Sequence, residues 1–304
     1  MANRRNGRLR WAGTLAAPVV LLALGGGSAG PAARIASPAA PQAPKTVRLY
    51  VLDCGVLNIT TAGVERYHVT PAEVGETRMS VPCFLVAHPR GTLLWDLGVI
   101  PDATVEARGA RADVNATAAA VVTRTLKSQL AQIGYTPADI KFIAISHAHI
   151  DHSANLNAFA ASTWLARPAE REFMWTENNP RVNPSFYSLL KNSASVVLID
   201  TDEHDVFGDG QVIMKAAPGH TPGHHVLILK LRTTGRVMLS GDLYHYPPER
   251  TLHRAPPDNE FSVEQSAASR LMIEDYLKCT KTTLWIEHDF VANGKLKKAP
   301  DYYN

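Results

Sequence analysis

Behind the apolar run "IKFIAIS" the chain places His147, His149, Asp151 and His152 within six consecutive positions. This stretch constrains the fold more than any other. Imidazole nitrogens and carboxylate oxygens are natural ligands for a metal ion that keeps a position open for water. The cluster also sits where a buried strand gives way to a loop, the usual place for a site carried on a rigid scaffold. Alternate residues of an extended loop point opposite ways, so one ion is poorly served by all four. Two neighbouring ions use them better, with His147 and His149 at one and Asp151 and His152 at the other.

That division requires partners elsewhere, and later strand ends supply them. "KAAPGHTPGHH" offers His220 at a turn stiffened by proline and glycine, "VMLSGDLYHY" offers Asp242, and "LWIEHD" offers His288. Seven candidates at four strand ends are hard to assign to chance. His68, His88, His204 and His253 lack such a context and read as solvated.

The first residues have a different character. Arg4, Arg5, Arg8 and Arg10 precede an apolar stretch from Trp11 to about Leu24, followed by small residues. This is the pattern of a secretory signal, with cleavage expected near Ala33. The apolar run is too short and too broken by glycine and proline to suit a membrane span. Residues 1–33 are thus read as a signal peptide, 34–45 as a Pro/Ala-rich linker, and 46–304 as one domain of an exported protein, periplasmic or secreted, with no stable membrane contact once the signal is removed. Four of the 31 basic residues lie in the leader, and without them the 28 acidic residues slightly predominate. The charge balance therefore favours no nucleic-acid partner. Cys54, Cys83 and Cys279 are odd in number and lack a CxxC spacing. Cys54 and Cys83 form the one pair close in sequence, but three small buried side chains is the plainer expectation.

In the mature chain "VRLYVLDCGVL", "CFLVAH", "TLLWDLG" and "IKFIAIS" read as strands, and so do "SVVLID", "VIMKAA", "HVLILKL", "RVMLSGD" and "TTLWIEHD". Apolar residues at Val122, Leu126, Leu130 and Ile133 predict a helix over about 117–133, stopped by Gly134. A second helix falls in "SVEQSAASRLMIEDYLKC", with Val263, Ala267, Leu271 and Leu277 among the residues marking its faces. Strands in runs, with a helix after each run, in two comparable halves, suggest two packed sheets with helices outside. This is a four-layer αββα sandwich.

On these motifs the sequence resembles the metallo-β-lactamase superfamily, over about residues 46–290. The resemblance implies that His147, His149 and His220 hold one ion, that Asp151, His152 and His288 hold the other, and that Asp242 bridges them, with two Zn²⁺ per chain. Asp96, in "LLWDLG", would support the site without binding metal. One departure is "DHSANLN", where Ala154 and Asn155 stand at positions that are glycine in many members. Two such ions activate a shared water for hydrolysis, and Asp151 would also shuttle a proton. Within the superfamily the layout is most similar to the N-acyl homoserine lactonases, implying a small-molecule ester or lactone substrate. Tyr244, two residues after Asp242, is the nearest candidate for a tyrosine that binds the substrate carbonyl, and simple packing at the sheet end is the alternative. Segments 74–82 and 181–190 suit an acyl-chain pocket, ordinary packing or a homodimer contact. The rival readings are an exported β-lactamase, an organophosphate hydrolase or an aryl ester hydrolase on the same scaffold. A di-iron redox protein is disfavoured by His149, since such proteins carry glutamate there.

Overall fold

The computed structural model describes residues 41–108 and 110–304; the expected signal peptide and the start of the linker lie outside them. Eight strands form the first sheet: β1 (Arg48–Ile59), β2 (Met79–His88), β3 (Gly91–Trp95), β4 (Arg111–Asn115), β5 (Ala118–Val121), β6 (Phe142–Ala144), β7 (Thr163–Ala166) and β8 (Val196–Leu198). They are ordered β4-β5-β1-β2-β3-β6-β7-β8. The second sheet contains β9 (Glu203–Asp205), β10 (Val212–Ala216), β11 (His225–Leu231), β12 (Gly235–Leu239) and β13 (Thr283–Trp285), ordered β13-β12-β11-β10-β9.

Three apolar clusters account for the layers. Leu49, Val51, Phe84, Val86, Leu93 and Trp95 from the first sheet meet Val212, Met214, Leu227, Leu229, Val237 and Leu239 from the second. Period-two alternation puts the remaining strand residues on the outer faces. On the first sheet's outer face, Leu52, Leu85 and Leu94 pack with Leu126 and Leu130 of helix Leu126–Gln132. On the second sheet's outer face, Val226, Ile228 and Met238 pack with Ile273 and Leu277 of helix Val263–Thr280. Two sheets face to face with helices outside make the expected αββα sandwich.

Several expectations change in detail. Residues 118–121 belong to strand β5, which pairs with β1 and β4, and the helix begins only at Leu126, with Thr125 capping it by accepting from Ser128 N. In helix Val263–Thr280 the buried stripe is Ser266, Ser269, Arg270, Ile273 and Leu277, while Leu271 is 71% exposed. Cys54 and Cys83 are joined in a disulfide with Cα atoms 5.7 Å apart, contrary to the expectation of three unbridged cysteines. Cys54 lies in a bulge of β1 between Asp53 and Val56. His88 is buried rather than solvated: its ring stacks on Phe207 at 4.1 Å and its Nε2 lies 3.0 Å from the Asp209 carboxylate.

Candidate metal centre

The strand ends of both sheets converge on one cluster. After β6 the chain passes through His147 to His149, then into a short helix, Ile150–Ser153, which turns Asp151 and His152 to the other side. The loop after β10 contributes His220, the turn after β12 contributes Asp242, and the segment after β13 contributes His288.

Among the described residues three groups of side chains are placed to hold a metal ion, the third being Asp96, His152 and Glu287, which shares His152 with the second. In the first, His147 Nε2 lies 2.8 Å from His149 Nδ1, which is 3.0 Å from His220 Nε2. Asp242 Oδ2 closes this group at 3.1 Å from His220 Nε2 and 3.5 Å from His147 Nε2. The second group is Asp151, His152 and His288. There Asp242 Oδ1 is 3.1 Å from His152 Nε2 and 3.0 Å from His288 Nε2, and Asp151 Oδ2 is 3.6 Å from His288 Nε2. Asp242 thus presents one oxygen to each of the first two groups. His152 Nε2 and Asp242 Oδ1 are buried without a hydrogen-bond partner despite their proximity. Burial would lower the His152 imidazole, but the charge of Asp242 raises it well above its usual range. This contact therefore requires a cation, a proton or a metal ion in its place, and the clustered imidazoles and carboxylates fit metal ions. A donor set of imidazole nitrogen and carboxylate oxygen suits divalent first-row metal ions, zinc among them.

Outer partners fix four of the rings. The Nδ1 atoms of His147, His152, His220 and His288 meet Ser146 Oγ at 3.0 Å, Asp96 at 2.9 Å, Glu260 at 3.0 Å and the Ser80 carbonyl at 2.8 Å. Such partners hold the tautomer that leaves Nε2 free as a ligand. Asp96, the residue expected to support the site, lies against the His152 ring, and its Oδ1 also accepts from Ser146 N at 2.6 Å. Asn155, where glycine is frequent in the family, bonds Leu97 O and accepts from Asp102 N, bracing the loop that follows Asp96.

Burial holds His147 and His149 well below the usual imidazole range, which leaves both neutral and ready to coordinate. Burial would lower His220 too, but the charges of Glu260 and Asp242 outweigh it and bring the group to about 10. A cation in the cluster competes with that proton.

Other positioning residues were not legible beforehand. Glu170 is buried and joins the two ligand loops: Oε1 accepts from Ala148 N at 2.6 Å, and Oε2 accepts from Thr221 Oγ1 at 2.6 Å and Gly223 N at 2.9 Å. A Cβ on Gly223 would lie 2.4 Å from Glu170 Cβ, so only glycine allows this approach. His224 Nε2 accepts from the backbone N of Asp242 at 3.0 Å and holds the turn that carries it.

Tyr244 does not face the cluster. Its ring packs under Arg270, its hydroxyl bonds Glu274 at 3.2 Å, and it belongs to the core beneath helix Val263–Thr280. The neighbouring His245 faces inward instead, with Nε2 3.1 Å from Asp242 Oδ2, and Tyr67 lies against it at 4.2 Å between rings. Glu249 sets this turn by accepting from His245 N and Tyr246 N, and Arg270 binds Glu249 in turn. The sequence signal for His245 is its place three residues beyond Asp242, one past the tyrosine.

The centre opens into a cavity of about 290 Å³. Leu57, Ile59 and Met79 form an apolar wall, and Asp151, His245 and Tyr67 face the same space. Among the described residues no helix is long and apolar enough to cross a membrane.

An αββα sandwich with this His/Asp centre at its strand ends defines a metal-dependent hydrolase. The family model of the metallo-beta-lactamase superfamily matches residues 77–277, and the chain belongs to that superfamily. The N-acyl homoserine lactonase AttM of Rhizobium radiobacter is 26% identical over 263 residues, spanning 84% of this chain and 98% of the relative. The N-acyl homoserine lactonase AiiA of Bacillus thuringiensis subsp. kurstaki is 23% identical over 266 residues, covering 84% and 98%. A solved N-acyl homoserine lactone hydrolase with the product N-hexanoyl-L-homoserine at its catalytic metal centre superposes with a TM-score of 0.70 at 22% identity, covering 84% of this chain and 99% of that one.

Proposed function

We propose that this chain is a dinuclear zinc hydrolase that opens the lactone ring of N-acyl homoserine lactones. The observation that carries the reading is Asp242, whose two oxygens face two separate ligand groups at the floor of a cavity with an apolar wall. The relatives named as lactonases support the substrate class. His147, His149 and His220 would hold one ion and Asp151, His152 and His288 the other, with Asp242 between the two groups. When bound, such a pair lowers the pKa of a shared water and polarises an ester carbonyl.

The chain's own residues do the rest. Asp151, a ligand on the cavity wall, takes up and returns a proton. His245 and Tyr67 take the role expected of Tyr244, donating hydrogen bonds to substrate oxygens. Burial and the charge of Asp242 hold the Tyr67 phenol well above its ordinary value, so it stays neutral and remains a donor. Leu57, Ile59 and Met79 receive the acyl chain.

Export to an oxidising compartment is part of the same proposal: residues 1–33 read as a signal, and the Cys54–Cys83 bridge suits that destination. N-terminal sequencing of the protein recovered from the periplasm or medium tests it, and an intact leader on cytosolic protein refutes it. The substrate is tested by comparing kcat/KM of zinc-loaded protein on acyl homoserine lactones, nitrocefin, paraoxon and an aryl ester. A large preference for the lactones is expected, and turnover of only the others would discard the lactonase reading.

A further inference from the structure

At the mouth of the metal cavity Arg66 and Arg181 converge on the side chain of Asn259. With its amide turned so that Oδ1 faces them, Asn259 accepts from Arg66 Nη2 at 2.7 Å and from Arg181 Nη2 as well. Among the described residues, no carboxylate oxygen lies within the 4.0 Å of an ion pair for either guanidinium. The other side-chain contact is between Arg66 Nη1 and Thr117 Oγ1 at 3.1 Å. Two like charges sharing one neutral acceptor repel each other, and no carboxylate is in direct contact to pair with either.

All three groups are tied to the catalytic frame. Ile150 N, between the ligands His149 and Asp151, donates to the Arg181 carbonyl at 3.1 Å. Asn259 precedes Glu260, whose carboxylate holds His220 Nδ1 at 3.0 Å. Arg66 adjoins Tyr67, which packs on His245. The backbone of both arginines is thus anchored beside the metal centre, and most of the guanidinium N–H donors are open to the cavity or to solvent. A planar guanidinium with free donors is the side chain best matched to a carboxylate.

We propose that Arg66 and Arg181 bind a carboxylate on the substrate's acyl arm, remote from the bond that is cleaved. The preferred substrates are then esters or lactones with an anionic arm, and the carboxylate takes the place of Asn259 Oδ1 between the two arginines. This specificity rests on the reading of the cavity as an ester-hydrolysing site but does not require that the ester be a homoserine lactone.

The test uses two matched substrate pairs on the zinc-loaded protein, each at low and at high salt. One pair is N-hexanoyl against N-adipoyl homoserine lactone. The other is para-nitrophenyl hexanoate against the para-nitrophenyl half-ester of adipic acid, with suberic and octanoic analogues for a longer arm. The quantity read is the ratio of kcat/KM, anionic over neutral, within each protein. A ratio of about ten- to a hundredfold is expected for two charge-assisted contacts, shrinking with salt and collapsing toward one in Arg66→Gln/Arg181→Gln. Zinc content measured on the same samples separates this loss from damage to the centre.

A wild-type ratio near one, or a ratio that survives the double substitution, overturns the proposal. Lactones hydrolysed with no arginine-dependent ratio leave the lactonase reading standing and remove this one. An arginine-dependent ratio on the aryl esters, with both lactones untouched, does the reverse. Calorimetric titration with adipate against hexanoate repeats the comparison without turnover. Each offers one carboxylate to the metals and only adipate a second to the arginines, so equal affinities also overturn the proposal.

Discussion

Breaking the Cys54–Cys83 bridge is expected to destabilise the domain by an amount that follows from the loop it closes. The two residues are 29 apart in sequence. Fixing that loop in the unfolded chain removes roughly 12 cal/mol/K of entropy, equivalent to about 3.5 kcal/mol near room temperature. In a domain of this size that corresponds to a fall in Tm of roughly 6–10 °C. Both cysteines are buried between β1 and β2, and the strands remain hydrogen-bonded neighbours whether or not the sulfurs are joined. The loss should therefore appear as stability rather than as a changed fold. The assay is thermal and guanidinium unfolding of zinc-saturated protein, oxidised and after reduction. Cys54→Ala/Cys83→Ala serves as the control that a reductant cannot alter. If reduction lowers the stability by less than about 1 kcal/mol, the loop-entropy argument fails here. An equal response of the alanine variant to the reductant would place the effect elsewhere.

Further expectations concern the centre itself. Glu170→Gln puts an amide N–H where the buried donors of Ala148, Thr221 and Gly223 need an acceptor. Zinc affinity should fall by roughly ten- to a hundredfold, and unchanged affinity in a chelator competition would show that the two loops hold without it. Tyr244→Phe should leave kcat within about twofold and cost no more than about 1 kcal/mol of stability, whereas His245→Gln should lower kcat by roughly ten- to a hundredfold with zinc content intact. The reverse ranking would restore Tyr244 to the site. In EDTA-treated protein His220 stands at about 10 against its ordinary 6.5, so its proton stabilises fully below pH 6.5 and progressively less as the pH rises toward 10. Glu260 is pressed to about 2 from 4.5: burial opposes this, but the charge of His220 and the hydrogen bond to it prevail. Its contribution is present above pH 4.5 and lost as the pH falls toward 2. Metal-free Tm should thus decline between pH 7 and 10, and a rise over that interval would contradict the assignment.

The seven residues that the structure gathers were legible because each of their segments is short and follows an apolar strand, so the local pattern already states where the side chain emerges. What surrounds those residues depends on contacts between distant segments. Glu170 reaches Thr221 and Gly223 across more than fifty residues, and His88 meets Asp209 across more than a hundred. Nothing local marks either pair. Tyr244 and His245 differ by a single position, and the tight turn Gly241–Leu243 decides which of them faces inward. The apolar spacing of residues 122–133 held only from Leu126 onward, because β1 offered residues 118–121 a pairing edge that outweighed helical periodicity. Helix Val263–Thr280 buries Arg270 in preference to Leu271, since that arginine ties down Leu243 O and Glu249 beside the centre.

The cavity is assembled from two kinds of material. Its floor lies on strand ends of both sheets, while its rim is drawn from residues 57–66, the β4–β5 turn, residues 180–181 and Asn259. Substitutions along the rim can therefore redirect the enzyme toward new esters while the bond-breaking apparatus stays as it is. Selectivity and reactivity are then separable traits of one scaffold, open to independent engineering.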